Sequence, residues 1–176
     1  MFYLQSNSEF LSDQLISFFQ QKGIHFTLDP NEPVFACISF DQNNQKLSCS
    51  LDDQTIHLTL PQHSHFLFIS TLDLLKKVSF RYRELIYFPI LQSVQVDDKL
   101  VNIKNIHNII LSNLFLFLND GVHKNDLYKM IWPQDKDIQI NKLDTHLTNL
   151  KTELKNNLDF NLDFSSASGN LKLMIN

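Results

Sequence analysis

Leu143-Asp-Thr-His-Leu-Thr-Asn-Leu-Lys-Thr-Glu-Leu154, preceded by Asn125-Asp-Leu-Tyr-Lys-Met-Ile-Trp132, is the stretch on which the reading of this chain turns. Leu143, Leu147, Leu150 and Leu154 recur at i, i+4, i+7 and i+11, the spacing of one stripe along a helix. The opposite face carries Asn141, Thr145, Thr148, Asn149 and Thr152. These are short, uncharged, hydrogen-bonding side chains where a solvent face would ordinarily hold Glu and Lys. Asn and Thr flanked by Lys and His suit a helix laid against base edges, so the segment reads as a candidate recognition helix over 138–156.

The flanking segments supply the scaffold such a helix needs. Leu85–Ile90, Ser93–Val96 and Lys99–Ile103 read as strands, the last two joined by an Asp97-Asp98 turn. A nearly all-apolar run over 105–118 predicts a helix buried on most sides, and Asn119-Asp-Gly121 ends it. A shorter helix covers about 124–132, followed by the loop Pro133-Gln-Asp-Lys-Asp137. Leu158, Phe160, Leu162 and Phe164 alternate, 165–170 turn, and Leu171, Leu173 and Ile175 alternate again, which predicts a terminal hairpin. Three helices closed by a hairpin make an α+β winged helix-turn-helix over 85–176.

Residues 1–83 read as a separate α/β unit. Phe2–Gln5 is a strand, and Ser6-Asn-Ser-Glu9 a capping box before a helix bearing Phe10, Leu11, Leu15, Phe18 and Phe19. Gly23 is placed to stop that helix. Ile24–Leu28 and Val34–Phe40 read as strands, Lys46–Leu51 and Thr55–Leu60 as a hairpin, Phe66–Ile69 as a further strand, and Thr71–Val78 as a helix capped by Ser70 or Thr71.

Composition bounds the function. The 176 residues carry a net charge of −4, with 43% hydrophobic residues, so the chain is not a generic polyanion binder. Residues 1–90 hold six Lys/Arg against nine Asp/Glu, and 91–176 hold nine Lys, no Arg and ten Asp/Glu. Nucleic-acid contact would therefore rest on where the few cations stand. No apolar run is long enough for a membrane span, and Met1–Asn7 lacks the basic start of a signal peptide. Cys37 and Cys49 have no metal or redox spacing and read as core residues of a cytoplasmic chain. His63-Ser-His65, with His57 nearby, invites a metal reading, since alternating His residues in a strand point the same way, but no carboxylate or Cys completes a set. No metal or cofactor is expected. Ser/His/Asp elbows, Gly-rich phosphate loops and His-Glu-x-x-His helices are absent, which argues against an enzyme.

With these motifs in hand, residues 85–176 resemble the C-terminal effector domain of OmpR/PhoB-type response regulators. Leu127 and Trp132 match the Leu that opens and the Trp that closes the family's second helix. The family run Val-Asp-Val-His-Ile-Ser-Arg-Leu-Arg-x-Lys-Leu is met by Leu143, Asp144, Thr145, His146, Leu147, Thr148, Leu150, Lys151 and Leu154. Departures are as informative. Asn149 replaces a common Arg and Glu153 a Lys. His123 stands at a cap usually held by Ser, and His107 replaces an acid of the first helix. The wing, Ser168-Gly-Asn-Leu-Lys172, keeps one glycine and one base.

The resemblance extends more loosely to residues 1–83 as a degenerate receiver. A working receiver holds Mg²⁺ with an acidic pair after its first strand, where this chain has Ser6-Asn7-Ser8, and Asp41 falls too early for the phosphoacceptor. The resemblance thus implies a phosphorylation-independent, sequence-specific regulator that binds double-stranded DNA. Its interface would comprise Asn141, Lys142, Thr145, His146, Thr148, Asn149, Lys151, Thr152 and Lys172. Lys142, His146 and Lys151 would meet phosphates, and Asn141, Thr145 and Asn149 would read bases. It also implies a homodimer through the N-terminal domain and contact with RNA polymerase through the loop at 133–137. The rival reading is a winged helix kept as a protein-interaction module, favoured by near-neutral charge and the depleted wing.

Overall fold

The structure, a computed structural model, describes residues 1–21, 23–41, 46–51, 54–59 and 64–174. Its backbone falls into two units, Met1–Val78 and Ser79–Asn176, and the whole is mixed α/β.

In the first unit, β1 (Phe2–Ser6) leads into helix α1 (Glu9–Gln20) and then the two-residue strand β2 (Phe26–Thr27). β2 returns parallel to β1, as a βαβ turn requires. The cap of α1 is Ser8, whose hydroxyl accepts the Leu11 N–H, and not Ser6. The reason is local: β1 runs through Ser6, whose Oγ accepts the Ser8 N–H at 3.1 Å, so the helix begins two residues later than the expected capping box. Leu15 and Phe19 on the inner face of α1 are wholly buried. Gly23 follows with φ +72, a conformation that favours glycine.

Strands β3 (Cys37–Asp41), β4 (Lys46–Leu51) and β5 (Gln54–Thr59) complete a sheet of order β2-β1-β3-β4-β5. That is the strand order of a flavodoxin-like doubly wound sheet, but the directions differ. β3 is parallel to β1, whereas β3-β4 and β4-β5 are antiparallel. Only the opening half of the sheet is wound with a crossover helix. The β4–β5 hairpin matches expectation, while its Asp52-Asp53 turn and Leu60 lie outside the described residues.

Helix α2 (Ser64–Leu75) corrects the reading of Phe66–Ile69 as a strand and of Ser70 or Thr71 as a cap. Thr71 sits fully buried inside this helix. A short apolar run cannot distinguish strand from buried helix by period. His65 is therefore helical and not part of a strand, while His63 lies outside the described residues.

The second unit opens with a four-stranded antiparallel meander, β6 (Phe80–Tyr82), β7 (Leu85–Phe88), β8 (Ser93–Val96) and β9 (Lys99–Asn102). The sheet thus begins at Phe80 and not at Leu85, because the three residues of β6 carry too little periodic signal to show in the sequence. Tyr82 fastens the sheet to the end of the described chain, donating its hydroxyl to the Met174 carbonyl at 2.7 Å. Asp97 turns the β8–β9 hairpin with φ +51.

Helices α3 (Asn105–Leu116), α4 (Lys124–Ile131) and α5 (Ile140–Leu158) follow, with the short strand β10 (Val122–His123) between the first two. Strands β11 (Phe164–Ala167) and β12 (Asn170–Leu173) form the terminal hairpin, and β10 joins it in a sheet of order β10-β12-β11. This is a winged-helix-like arrangement. The hairpin turns at Ser168-Gly169, both at positive φ, rather than across 165–170. Ile175, expected in its last strand, lies outside the described residues. The alternation of Leu158, Phe160 and Leu162 is not a strand: Leu158 ends α5, Asp159 caps it in the left-handed conformation, and Phe160 and Leu162 anchor the following loop in the core.

Every leucine of the predicted stripe, Leu143, Leu147, Leu150 and Leu154, is buried, and Leu158 extends the row. They pack in one core with Ile110, Leu111 and Leu114 of α3, Leu127 and Tyr128 of α4, and Leu171 and Leu173 of the wing. At roughly 1.5–3 kcal/mol per fully buried leucine, this row is what holds α5 in place and decides which face is left outside.

Candidate nucleic-acid interface

Because the leucine row faces the core, Asn141, Thr145, Thr148, Asn149 and Thr152 all come out exposed on the far side of α5. Their spacing of i, i+4, i+7, i+8 and i+11 gathers them on one face. The three threonines share a further feature. Thr145 Oγ1 donates to the Asn141 carbonyl at 2.8 Å, Thr148 Oγ1 to Asp144 at 2.9 Å, and Thr152 Oγ1 to Thr148 at 3.0 Å. Each hydroxyl proton is thus committed to the helix backbone one turn back.

The cations beside this face are not extended into solvent. Lys142 Nζ lies 2.9 Å from Asp135 Oδ2 and 4.1 Å from the centre of the Trp132 ring. Lys151 Nζ sits 4.0 Å over the ring of Phe164, and Lys172 Nζ donates to the Asn119 carbonyl. His146 packs on Trp132, ring centres 5.5 Å apart, and on His107 at 6.1 Å. Burial holds its pKa below the ordinary histidine value, helped by His107, Lys142 and Lys104.

Asp144, the other signature residue, accepts from Lys124 Nζ at 2.6 Å. Asp144 and His146 therefore join α5 to its neighbours: Asp144 reaches the first residue of α4, and His146 packs between α3 and the residue that closes α4. Sequence spacing could not reveal the Lys124–Asp144 pair, whose members stand 20 positions apart.

Two departures from the family pattern meet in space. His107 Nδ1 of α3 lies 2.7 Å from Glu153 Oε2 of α5, with His107 almost wholly buried. Where the resemblance implies an acid on the first helix and Lys at 153, this chain has His107 and Glu153. The other His107 nitrogen, Nε2, is buried without a hydrogen-bond partner.

Asp135 anchors the α4–α5 connection. Tyr128 donates its hydroxyl to Asp135 Oδ2 at 2.6 Å and Lys142 donates to the same oxygen, and these bonds hold the Asp135 carboxyl below the usual range. Trp132 leaves the helical conformation, as the residue before Pro133 is driven to do. At the start of α4, His123 Nδ1 accepts the Asn125 N–H at 3.2 Å, so imidazole serves where the resemblance implies Ser.

Among the described residues, no group of three or more His, Cys, Asp or Glu is placed to hold a metal ion, and no helix is long and apolar enough to cross a membrane. Cys37 and Cys49 are free thiols, and burial raises both pKa values.

No family model matches the chain, and no curated protein matches it. Among solved structures, the DNA-binding domain of E. coli CadC is similar, with a TM-score of 0.46 and 14% identity, over 55% of this chain and 91% of that one.

Proposed function

We propose that the protein is a cytoplasmic, non-enzymatic regulator of transcription that binds double-stranded DNA by laying α5 in the major groove. The observation that carries this reading is the exposed face of α5: five short polar residues, none charged, on a helix whose opposite side is locked by five buried leucines. Such a face costs little to desolvate against base edges and has the hydrogen-bonding groups to match them. Asn141, Thr145, Thr148, Asn149 and Thr152 then meet bases, and Lys142, His146, Lys151 and Lys172 border the phosphates. The partners that Lys142, Lys151 and Lys172 now hold are weak surface contacts that a phosphate can replace.

Dimerisation through the first unit completes the reading, since two half-sites double the contacts of a sparsely charged monomer. That unit acts as a receiver-like domain reduced to a βαβ opening and an antiparallel meander. It works without phosphorylation: Asn7 donates to Asp41 at 3.5 Å where a receiver would need carboxylates around Mg²⁺. The connection over 133–137, fixed through Asp135, presents a firm surface to RNA polymerase.

A gel-shift titration of the full chain with genomic fragments at low and moderate salt tests the proposal. Retarded fragments whose affinity falls with salt are expected. A second reading, a winged helix that binds protein only, is favoured by Lys142, Lys151 and Lys172 all being engaged internally. The absence of any shift at low salt would decide for it.

A further inference from the structure

The threonine geometry bears on which bases the face of α5 can read. Thr145, Thr148 and Thr152 have each turned the hydroxyl proton onto a backbone carbonyl. What remains outward is a methyl group and the lone pairs of Oγ1. A hydroxyl so committed does not donate to guanine O6 or N7, while its methyl can pack on the C5-methyl of thymine. Guanine is most often read by a paired donation from Arg or Lys, and neither residue is among the five exposed here. Asn141 and Asn149, exposed on the same arc, carry the amide that pairs with both adenine N6 and N7.

We infer that α5 is built to read A·T pairs, with Thr145, Thr148 and Thr152 recognising thymine through methyl–methyl contact and Asn141 and Asn149 recognising adenine. This rests on the major-groove reading above. It goes beyond that reading in naming the bases and in assigning the threonines a hydrophobic contact and not a hydrogen-bonding one. The five residues cover one face over three turns of helix, so the A·T pairs concerned should be contiguous or nearly so.

The test begins with selection of duplexes from a random-core library by the full-length protein. The best duplex is then remade with deoxyuridine in place of every core thymine, which deletes the C5-methyl and leaves pairing intact. Selected cores should be dominated by A·T, and uracil should weaken binding by about fourfold for each thymine methyl that α5 touches, the worth of one buried methyl group. The variant T145S/T148S/T152S keeps every hydroxyl, and hence the backbone bonds and the fold, but removes the three protein methyls. It should bind the thymine and uracil duplexes equally. Selected cores rich in G·C, or equal affinity of the wild-type protein for thymine and uracil duplexes, would overturn the inference while leaving major-groove binding intact. Failure of the wild-type protein to enrich any duplex would overturn both.

Discussion

Asn149 and Lys151 stand two residues apart on α5, yet they belong to different physics. Asn149 is exposed on the outer face of the helix, and Lys151 rests on the ring of Phe164. Asn149→Ala should change which sequence is preferred, by about 1–3 kcal/mol at one base position. Lys151→Ala should weaken binding to all sequences alike and lower the slope of log affinity against log salt by about one unit. Affinity measurements over a salt series on matched and mismatched duplexes separate the two; identical behaviour of the variants would contradict the assignment. His146 gives a pH signature. Its folded pKa lies below the ordinary 6.5, through burial first and then the neighbouring His107, Lys142 and Lys104. The unfolded chain therefore takes up a proton more readily, so this contribution to stability is complete above about pH 6.5 and is lost as pH falls through the folded value. His146→Gln should flatten the loss of stability in that acid window, as read by urea unfolding at a series of pH values. An unchanged pH profile would show that His146 does not titrate with folding.

Helices α3 and α5 are joined by more than leucine packing. Glu153 partners Nδ1 of a histidine that is 1% exposed, and an unpaired buried polar group costs about 1–3 kcal/mol. Glu153→Lys should destabilise by that order, and the double variant H107E/E153K, which restores the charge order the resemblance implies, should recover most of the loss. Urea midpoints of the two single variants and the double variant give the coupling; simple additivity would refute it. The legibility of these elements in the sequence follows the same physics. The leucine row of α5 can be read because a 3.6-residue period persists along the helix, and the exposed Asn and Thr face follows from it. Phe66–Ile69 reads as a strand although it is helical, because four apolar residues fit a strand and a buried helix equally. Strands β6 and β10, three and two residues long, are set by their partners across the sheet and leave almost no periodic trace. Phe160 and Leu162 alternate as a strand would while serving as anchors of a loop, so the sequence starts the wing hairpin too early. Position along the helix picks out the cations of the site, but their partners, Asp135 for Lys142 and Phe164 for Lys151, come from tertiary contacts that spacing does not encode.

In the molecule as a whole, recognition and regulation are proposed to fall to different units. The first unit keeps the strand order of a doubly wound sheet but runs its last two strands antiparallel, and Ser6-Asn7-Ser8 supplies no carboxylate to a metal. Incubation with a small-molecule phosphodonor and Mg²⁺ should leave the intact mass unchanged, whereas a stoichiometric phosphate adduct on Asp41 would restore phosphorelay chemistry to the chain. For the other unit, we propose that the exposed face of α5 is the surface that meets DNA. It is tested most directly by comparing the wild-type protein with N141D/N149D in one equilibrium titration of a bound duplex at low salt. Both side chains are exposed and lie opposite the leucine core, so the variant should melt as the wild type does. Two carboxylates facing a polyanion should lower affinity by about a hundredfold or more, like-charge juxtaposition being worth several kcal/mol. Undiminished binding by the correctly folded variant would contradict the claim.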